Sequence, residues 1–329
     1  MDLSRPFIRL PYRFDAERLA SEVNAIADSA WMAHPNRMQG NTAAALISRD
    51  GGDNDDFEGA MAETGRLASS PYIRQVLASF DLVLGRSRLM KLAAGCEVAT
   101  HVDFNYHWYS RVRIHVPIIT NEAVTFRCAD QHTHMRAGEA WIFNSWRRHS
   151  VTNASDQDRV HLVIDTGGSA SFWNTVAQME SLDSLQQREE IDAMCQQVPF
   201  DSAATVNLRC EKYNVAPVMA PGEVDALVAD LLRDFEHNPE NSPDIVARYR
   251  HILFALTKDW RETWAQYGYE SDGSEHYQAI LDRTLASLHP DRRAVVTQSN
   301  KIGVNPIIVQ RILRSALAPH VRDQFVSAG

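Results

Sequence analysis

Long apolar runs are missing from this sequence: nowhere do eighteen apolar residues follow one another, so no membrane-spanning helix is expected. Clustered positive charge is missing too. No Lys/Arg block exceeds a pair and the net charge is −9, which argues against a protein that neutralises a nucleic-acid backbone. The first twenty residues, MDLSRPFIRLPYRFDAERLA, lack a basic stretch followed by an apolar run, so no signal peptide is read there. Cysteine is scarce: Cys96, Cys128, Cys195 and Cys210 show neither CxxC nor zinc-finger spacing. Reduced thiols and a cytoplasmic location are the expectation. There is no GxSxG nucleophile turn, no glycine-rich phosphate loop and no internal repeat, which removes the serine hydrolases and the nucleotide-binding folds from consideration.

What remains is ample material for a core. Of 329 residues, 44% are apolar and 23% charged, enough for one large domain or two ordinary ones. Three textures follow one another. Residues 1 to about 80 mix a strand-like FIRLPYRF with the helical DAERLASEVNAIADSAW, in which Leu19, Val23, Ile26 and Ala27 share a face. The stretch GNTAAALISRDGGDNDDFEG, residues 40–59, reads as a loop by its Gly and Asp content. Its acidic run fails the calcium-loop template at Phe57 and Glu58, and no Glu closes it, so a solvated loop or a lid over a site is expected. Residues 85–168 are β-rich: SRLMKLA, RVRIHVPII, AVTFRCA, EAWIFN and RVHLVIDT are spaced as in a sandwich or barrel. From about residue 170 the pattern turns helical. In PGEVDALVADLLRDFEHN, apolar residues recur at three and four, and PDIVARYRHILFALTKDWRETWAQYG gives a second helix ending near Gly268. These helices are read as a structural or homodimerising appendage.

Seven of the 13 histidines fall between positions 101 and 161. His101 and Asp103 are two apart, so on an extended chain they share a face and can reach one ion. His149, at the end of WIFNSWRRH, is placed for a later strand to return to the same mouth. Two neutral imidazoles and a carboxylate on one side of an octahedron are the facial triad of non-haem Fe(II) oxygenases. The His-x-Asp spacing alone is weak, since the composition predicts about 1.7 chance cases of His-x-Asp/Glu. The surroundings add weight. Arg111, Arg113 and His115 alternate with Val112, Ile114 and Val116, so one strand face is basic and the other apolar. In a closed barrel the basic face looks inward and needs an anion; on an exposed antiparallel strand it faces water. Arg159 and His161 repeat the pattern against Val160, Leu162 and Ile164. An Arg ten residues after His149 is suited to clamp the far carboxylate of a dicarboxylate whose other end chelates the metal.

Taken together, HVDF, RVRIHVPI, GEAWIFNSWRRHSVTN and RVHLVIDT make residues 85–168 resemble the aspartyl/asparaginyl β-hydroxylase family of Fe(II)/2-oxoglutarate oxygenases. The overall layout is similar to bacterial proline cis-hydroxylases of that family. The resemblance implies a double-stranded β-helix, or jelly roll, in a mainly β core with helices. It implies an oxygenase domain over 1–170, with an N-terminal α/β elaboration, and a helical domain over 171–329. By the same resemblance, His101, Asp103 and His149 ligate Fe(II), Arg159 binds the C5 carboxylate of 2-oxoglutarate, and Arg113 and His115 contact cosubstrate or substrate. Asp103 supplies the acidic ligand that the animal aspartyl hydroxylase lacks. Arg111, Arg148 and His107 are weaker substrate-binding candidates. The implied reaction hydroxylates an unactivated C–H of an amino acid, a peptidyl residue or a related small carboxylate, using O₂ and converting 2-oxoglutarate to succinate. The alternative is a cupin-like metal-dependent isomerase or a non-catalytic small-molecule sensor, for which an Arg opposite the open coordination sites has no purpose.

Overall fold

The computed structural model describes residues 2–33 and 39–318. Within that range the chain divides into two compact units. The first is built from residues up to Asp103 together with Ser110–Asn214, the second from Phe104–Tyr109 together with residues from Val215 onward. The boundary expected at 170 therefore falls after Asn214. The reason is packing: the helix after residue 169 buries Phe172, Val176 and Met179 in the same cluster as Ile114, Val116, Leu162 and Ile164.

The first unit contains ten strands that matter here: β1 (Phe7–Phe14), β2 (Asn41–Arg49), β3 (Ser87–Leu92), β4 (Glu97–His101), β5 (Val112–Ile119), β6 (Val124–Cys128), β7 (Gln131–Thr133), β8 (Glu139–Phe143), β9 (His149–Asn153) and β10 (Arg159–Thr166). The larger sheet runs β1-β8-β5-β10-β3-β2, with short strands at its edges, and the smaller runs β7-β6-β9-β4. From β3 to β10 the chain passes large, small, large, small, small, large, small, large. That alternation, with antiparallel neighbours throughout, is the double-stranded β-helix.

Period-two patterning decides what each face meets. On β5 and β10, Val112, Ile114, Val116, Ile118, Val160, Leu162 and Ile164 join an apolar cluster with helices α1 (Ala16–Asn24), α2 (Pro71–Ser79) and α3 (Ala170–Glu180). The other face carries Arg113, His115, Arg159 and His161 and looks toward the smaller sheet, where His115 and His161 meet Phe126. The basic rows are inward, as a closed barrel requires. Helix α2 is seated by Glu22 of α1, whose carboxylate accepts from the Tyr72 and Ile73 backbone N–H groups (2.8 and 2.9 Å) and satisfies donors that a helix start leaves open.

Residues 41–49 differ from the loop reading. They are a buried strand paired along β3 from Asn41↔Leu92 to Ile47↔Ser87, with Ala44, Ala45, Leu46 and Ile47 fully buried. The turn formers bracket this strand rather than fill a loop: Gly40, Asp50 and Gly51 all have positive φ. What remains of the loop is 50–60, and it is tethered, as shown below.

The second unit contains α4 (Pro221–Phe235), α5 (Pro243–Tyr267) and α6 (Ser274–Ser287). The residues predicted by three-and-four spacing, Val224, Leu227, Val228, Leu231 and Phe235, are buried, and α5 stops at Gly268 with φ 54°. Arg311 is buried in this unit, its Nε donating to the Phe104 carbonyl (3.1 Å) and its guanidinium 5.2 Å from the Tyr109 ring centre. Among the described residues, no helix is long and apolar enough to cross a membrane.

Candidate metal centre

β4 ends on His101 and β9 begins on His149, and the two are directly opposed across the small sheet. Their rings lie 4.2 Å apart, centre to centre. Asp103 is not on the strand as the spacing suggested. It sits two residues beyond, where its backbone N–H donates to the Ser145 carbonyl (3.0 Å) and fixes its place. One Asp103 oxygen is 3.8 Å from His101 Nε2 and the other 3.8 Å from His149 Nε2. One donor atom from each of the three residues lies within 4.8 Å of the others.

The ring orientation is set from behind. His101 Nδ1 lies 2.8 Å from the Ala99 carbonyl and His149 Nδ1 2.9 Å from that of Arg147. A carbonyl only accepts, so each Nδ1 carries the proton and each Nε2 lone pair is left for a metal. Burial lowers the His149 pKa below the ordinary imidazole value, with Asp103 opposing and His101 adding to the effect. The neutral ligand form is thus favoured. His149 is buried while His101 and Asp103 are partly open, so the trio lies at a mouth. Two neutral imidazoles and one carboxylate are a donor set for Fe(II) with coordination positions to spare.

Inward from His149 the walls are rings. Phe143 packs 4.9 Å from His149 and 5.2 Å from His115; His115 lies 5.8 Å from both Phe126 and His161. His161 stacks on Phe126 at 5.3 Å, and the Arg159 guanidinium sits 4.9 Å over the same ring. Arg159 is buried, has no acidic partner among the described residues, and is pushed down to about 9 by burial. Its Nε, and both ring nitrogens of His115 and of His161, are buried without a hydrogen-bonding partner.

The remaining sequence candidates fall in different places. Arg113 lies on the inward face, but its guanidinium is held two-pronged by Asp165 (2.7 and 3.0 Å). Burial works against its charge and Asp165 outweighs it, so its pKa is raised. Arg111 is tied to Glu211 by the same fork (2.8 and 3.0 Å) and is not directed at the trio. Arg148 is exposed. His107 belongs to the second unit, edge-on to Trp108 at 4.7 Å.

Sequence reasoning missed Arg86, Arg88 and Asp55. Arg88 pairs with Asp55; Arg86 Nη1 reaches the Asp55 carboxylate (2.9 Å) and its carbonyl (2.8 Å), and Arg86 Nε lies 3.6 Å from Asp165. Phe57 covers the Arg86 guanidinium at 3.8 Å. The 50–60 loop is therefore anchored to the basic wall. A partial signal was present: Arg86 and Arg88 are two apart in RSRLM, as Arg111 and Arg113 are in RVRIHV. Its partner Asp55 lies far away in sequence, which no local pattern reveals.

Comparison with known proteins agrees with this geometry. Residues 19–167 match the model of the family described as Aspartyl/Asparaginyl beta-hydroxylase. An L-proline cis-4-hydroxylase of Rhizobium meliloti (strain 1021) is 26% identical over 191 residues, which is 54% of this chain and 68% of that protein. Among solved structures, a 2OG-Fe(II) oxygenase family oxidoreductase from Burkholderia pseudomallei overlaps with a TM-score of 0.37 at 10% identity, covering 50% of this chain and 86% of that one. A prolyl hydroxylase from Trichoplax adhaerens, in complex with a hypoxia inducible factor peptide fragment, overlaps with a TM-score of 0.36 at 11% identity, covering 53% and 87%. At such scores the overlaps add nothing to what the strand order shows. Over residues 19–167 this chain is therefore similar to the aspartyl/asparaginyl β-hydroxylase family.

Proposed function

We propose that the protein is a 2-oxoglutarate-dependent hydroxylase in which His101, Asp103 and His149 hold Fe(II). The observation that carries this reading is Arg159: a buried guanidinium with no carboxylate partner among the described residues, on the same inward side as the trio and joined to it along a row of ring contacts. Leaving a charge in that state is costly unless a ligand anion completes it. The C5 carboxylate of 2-oxoglutarate, with the 2-oxo acid end at the metal, has the right charge and the planar shape that a guanidinium fork matches. His115 lies between the two ends and contributes to the same binding site.

With metal and cosubstrate bound, one oxygen of O₂ enters a substrate C–H bond and the other enters succinate, with loss of CO₂. What this chain supplies is positioning and exclusion of water. His101 and His149 present neutral Nε2 atoms, Asp103 supplies the anionic ligand, Phe143 and Phe126 keep the interior dry, and Arg159 fixes the cosubstrate's orientation. Substrate is received beside the trio on the side of Arg113, which stands with Arg86 and Arg88 in a cluster of three arginines and two aspartates with net positive charge. A small amino-acid-like carboxylate, free or peptidyl, suits that charge; the similar L-proline cis-4-hydroxylase supports an amino acid first. The four cysteines are unpaired, in keeping with a cytoplasmic setting, and the helices after Val215 are the expected homodimer surface.

The test is 2-oxoglutarate titration of the anaerobic Fe(II) protein, followed by the metal-to-ligand charge-transfer band. Truncating one side of a buried charge pair costs about 2–5 kcal/mol, so Arg159→Ala should weaken apparent affinity by roughly thirty-fold or more. Fe(II) affinity without cosubstrate should change little, and Arg159→Lys should recover only part. Absence of the band in wild type, or an Arg159→Ala titration like wild type, rejects the cosubstrate reading in favour of a metal-binding sensor or isomerase.

A further inference from the structure

Besides Arg159, the interior face of β10 carries a second group that no ligand or ion-pair argument has used. His161 is completely buried, and neither ring nitrogen has a hydrogen-bonding partner. A neutral imidazole carries one N–H donor and one acceptor nitrogen, and burying both without partners is unfavourable. A histidine kept only for packing would be a poor choice against Phe126, which belongs to an apolar cluster with Val124, Cys128 and Val151. The ring is placed with care nonetheless. It stacks on Phe126 at an interplanar angle of 20°, and Arg159, two residues earlier on the same face, lies over that same ring.

The backbone bends at this point as well. β10 pairs with β5 in regular register from Thr166 back to Leu162 and His161↔Pro117, then slips so that Val160 meets Ile119. Such irregularities re-aim side chains near sites. Burial holds His161 well below the ordinary imidazole range, and Arg159, His115 and His134 push in the same direction. The ring therefore stays neutral beside Arg159 and offers a donor without adding a second charge.

We infer that His161 is a specificity-determining residue for the cosubstrate, donating a ring N–H to the same distal carboxylate that Arg159 pairs with. This rests on the cosubstrate reading above. A carboxylate has about four acceptor sites, so a guanidinium fork leaves room for an imidazole donor. A monocarboxylic 2-oxo acid such as pyruvate ends short of both groups and leaves them unsatisfied, which gives the interior a means of rejecting it.

The experiment is calorimetric titration of 2-oxoglutarate into the full-length protein loaded with Zn(II), which needs no turnover. His161→Phe preserves the stack on Phe126 and removes the donor. Loss of one hydrogen bond to a charged group should weaken binding about tenfold to a hundredfold. His161→Gln, which restores an N–H, should lie between Phe and wild type. In wild type, the ¹⁵N resonance of the His161 ring should shift on adding 2-oxoglutarate, a response that a packing role would not give. If His161→Phe binds like wild type while Arg159→Ala is impaired, the inference about His161 is wrong and the cosubstrate reading stands. If both variants bind like wild type, both are overturned.

Discussion

Two groups of arginines line the inside of this barrel, and they keep different company. Arg86, Arg88 and Arg113 are threaded with Asp55 and Asp165 into a chain of ion pairs. Arg159 has no acidic partner among the described residues and lies over the Phe126 ring, on which His161 stacks. Both Arg88 and Arg159 are pushed down to about 9, chiefly by burial. Arg88 nevertheless has an aspartate at hand. A charge that carries its own counterion is balanced within the scaffold, whereas a charge left alone in the interior is costly until an anion meets it, which is the role proposed for Arg159.

The most severe way to test the comparison is to remove the proposed metal site. His149→Ala or Asp103→Ala should abolish turnover and drastically weaken Fe(II) binding while circular dichroism reports an unchanged fold. Full activity in either variant would end the metal assignment and leave the two groups with no common purpose.

Stability measurements separate the groups by sign. Arg113→Met removes the forked partner of a fully buried Asp165, leaving Arg86 Nε at 3.6 Å, and should destabilise the ligand-free protein by up to about 3–5 kcal/mol. Arg159→Met removes an uncompensated charge and replaces it with apolar volume, so the ligand-free protein should become more stable, by about 1 kcal/mol or more. Urea unfolding of both variants checks this. Two destabilised variants would show that Arg159 has an internal partner after all.

The smallest effect concerns pH. His115 and His161 are both held well below the ordinary imidazole value by burial. When the chain unfolds they regain a pKa of about 6.5 and take up protons that the folded protein refuses. Their burial therefore carries no protonation penalty above that value, and stability is lost as pH falls below it. The urea midpoint of the metal-free protein should drop between pH 7.5 and 5.5, and His161→Phe should lessen the drop. An equal drop in the variant would mean that other groups govern it.

Much of this was legible in the sequence, and for identifiable reasons. His101, Asp103 and His149 come together in the fold although Asp103 lies beyond the strand on which the two-residue spacing placed it, and the alternation of β5 and β10 is a local property from which their basic and apolar faces could be named. The β2 strand was misread because its flanks, Gly40 and Asp50–Gly51, look like the middle of a loop when the pairing with β3 is unseen. Arg111 and Arg113 look alike in sequence. Only the fold shows that one faces Glu211 and the other Asp165, since both acids arrive from distant parts of the chain.

The hydrogen bonds behind the two imidazoles proposed as metal ligands have an evolutionary consequence. Each runs from Nδ1 to the carbonyl two residues earlier, at Ala99 and at Arg147. Every amino acid has a carbonyl, so the proton arrangement of the ligands is encoded in main chain rather than in any neighbouring side chain. Lineages are free to exchange the residues at 99 and 147 without disturbing the ligand tautomers. The exchange has a boundary only where a substitution alters the path of the backbone itself, and sequence drift around this centre should be broad in chemistry and narrow in chain length.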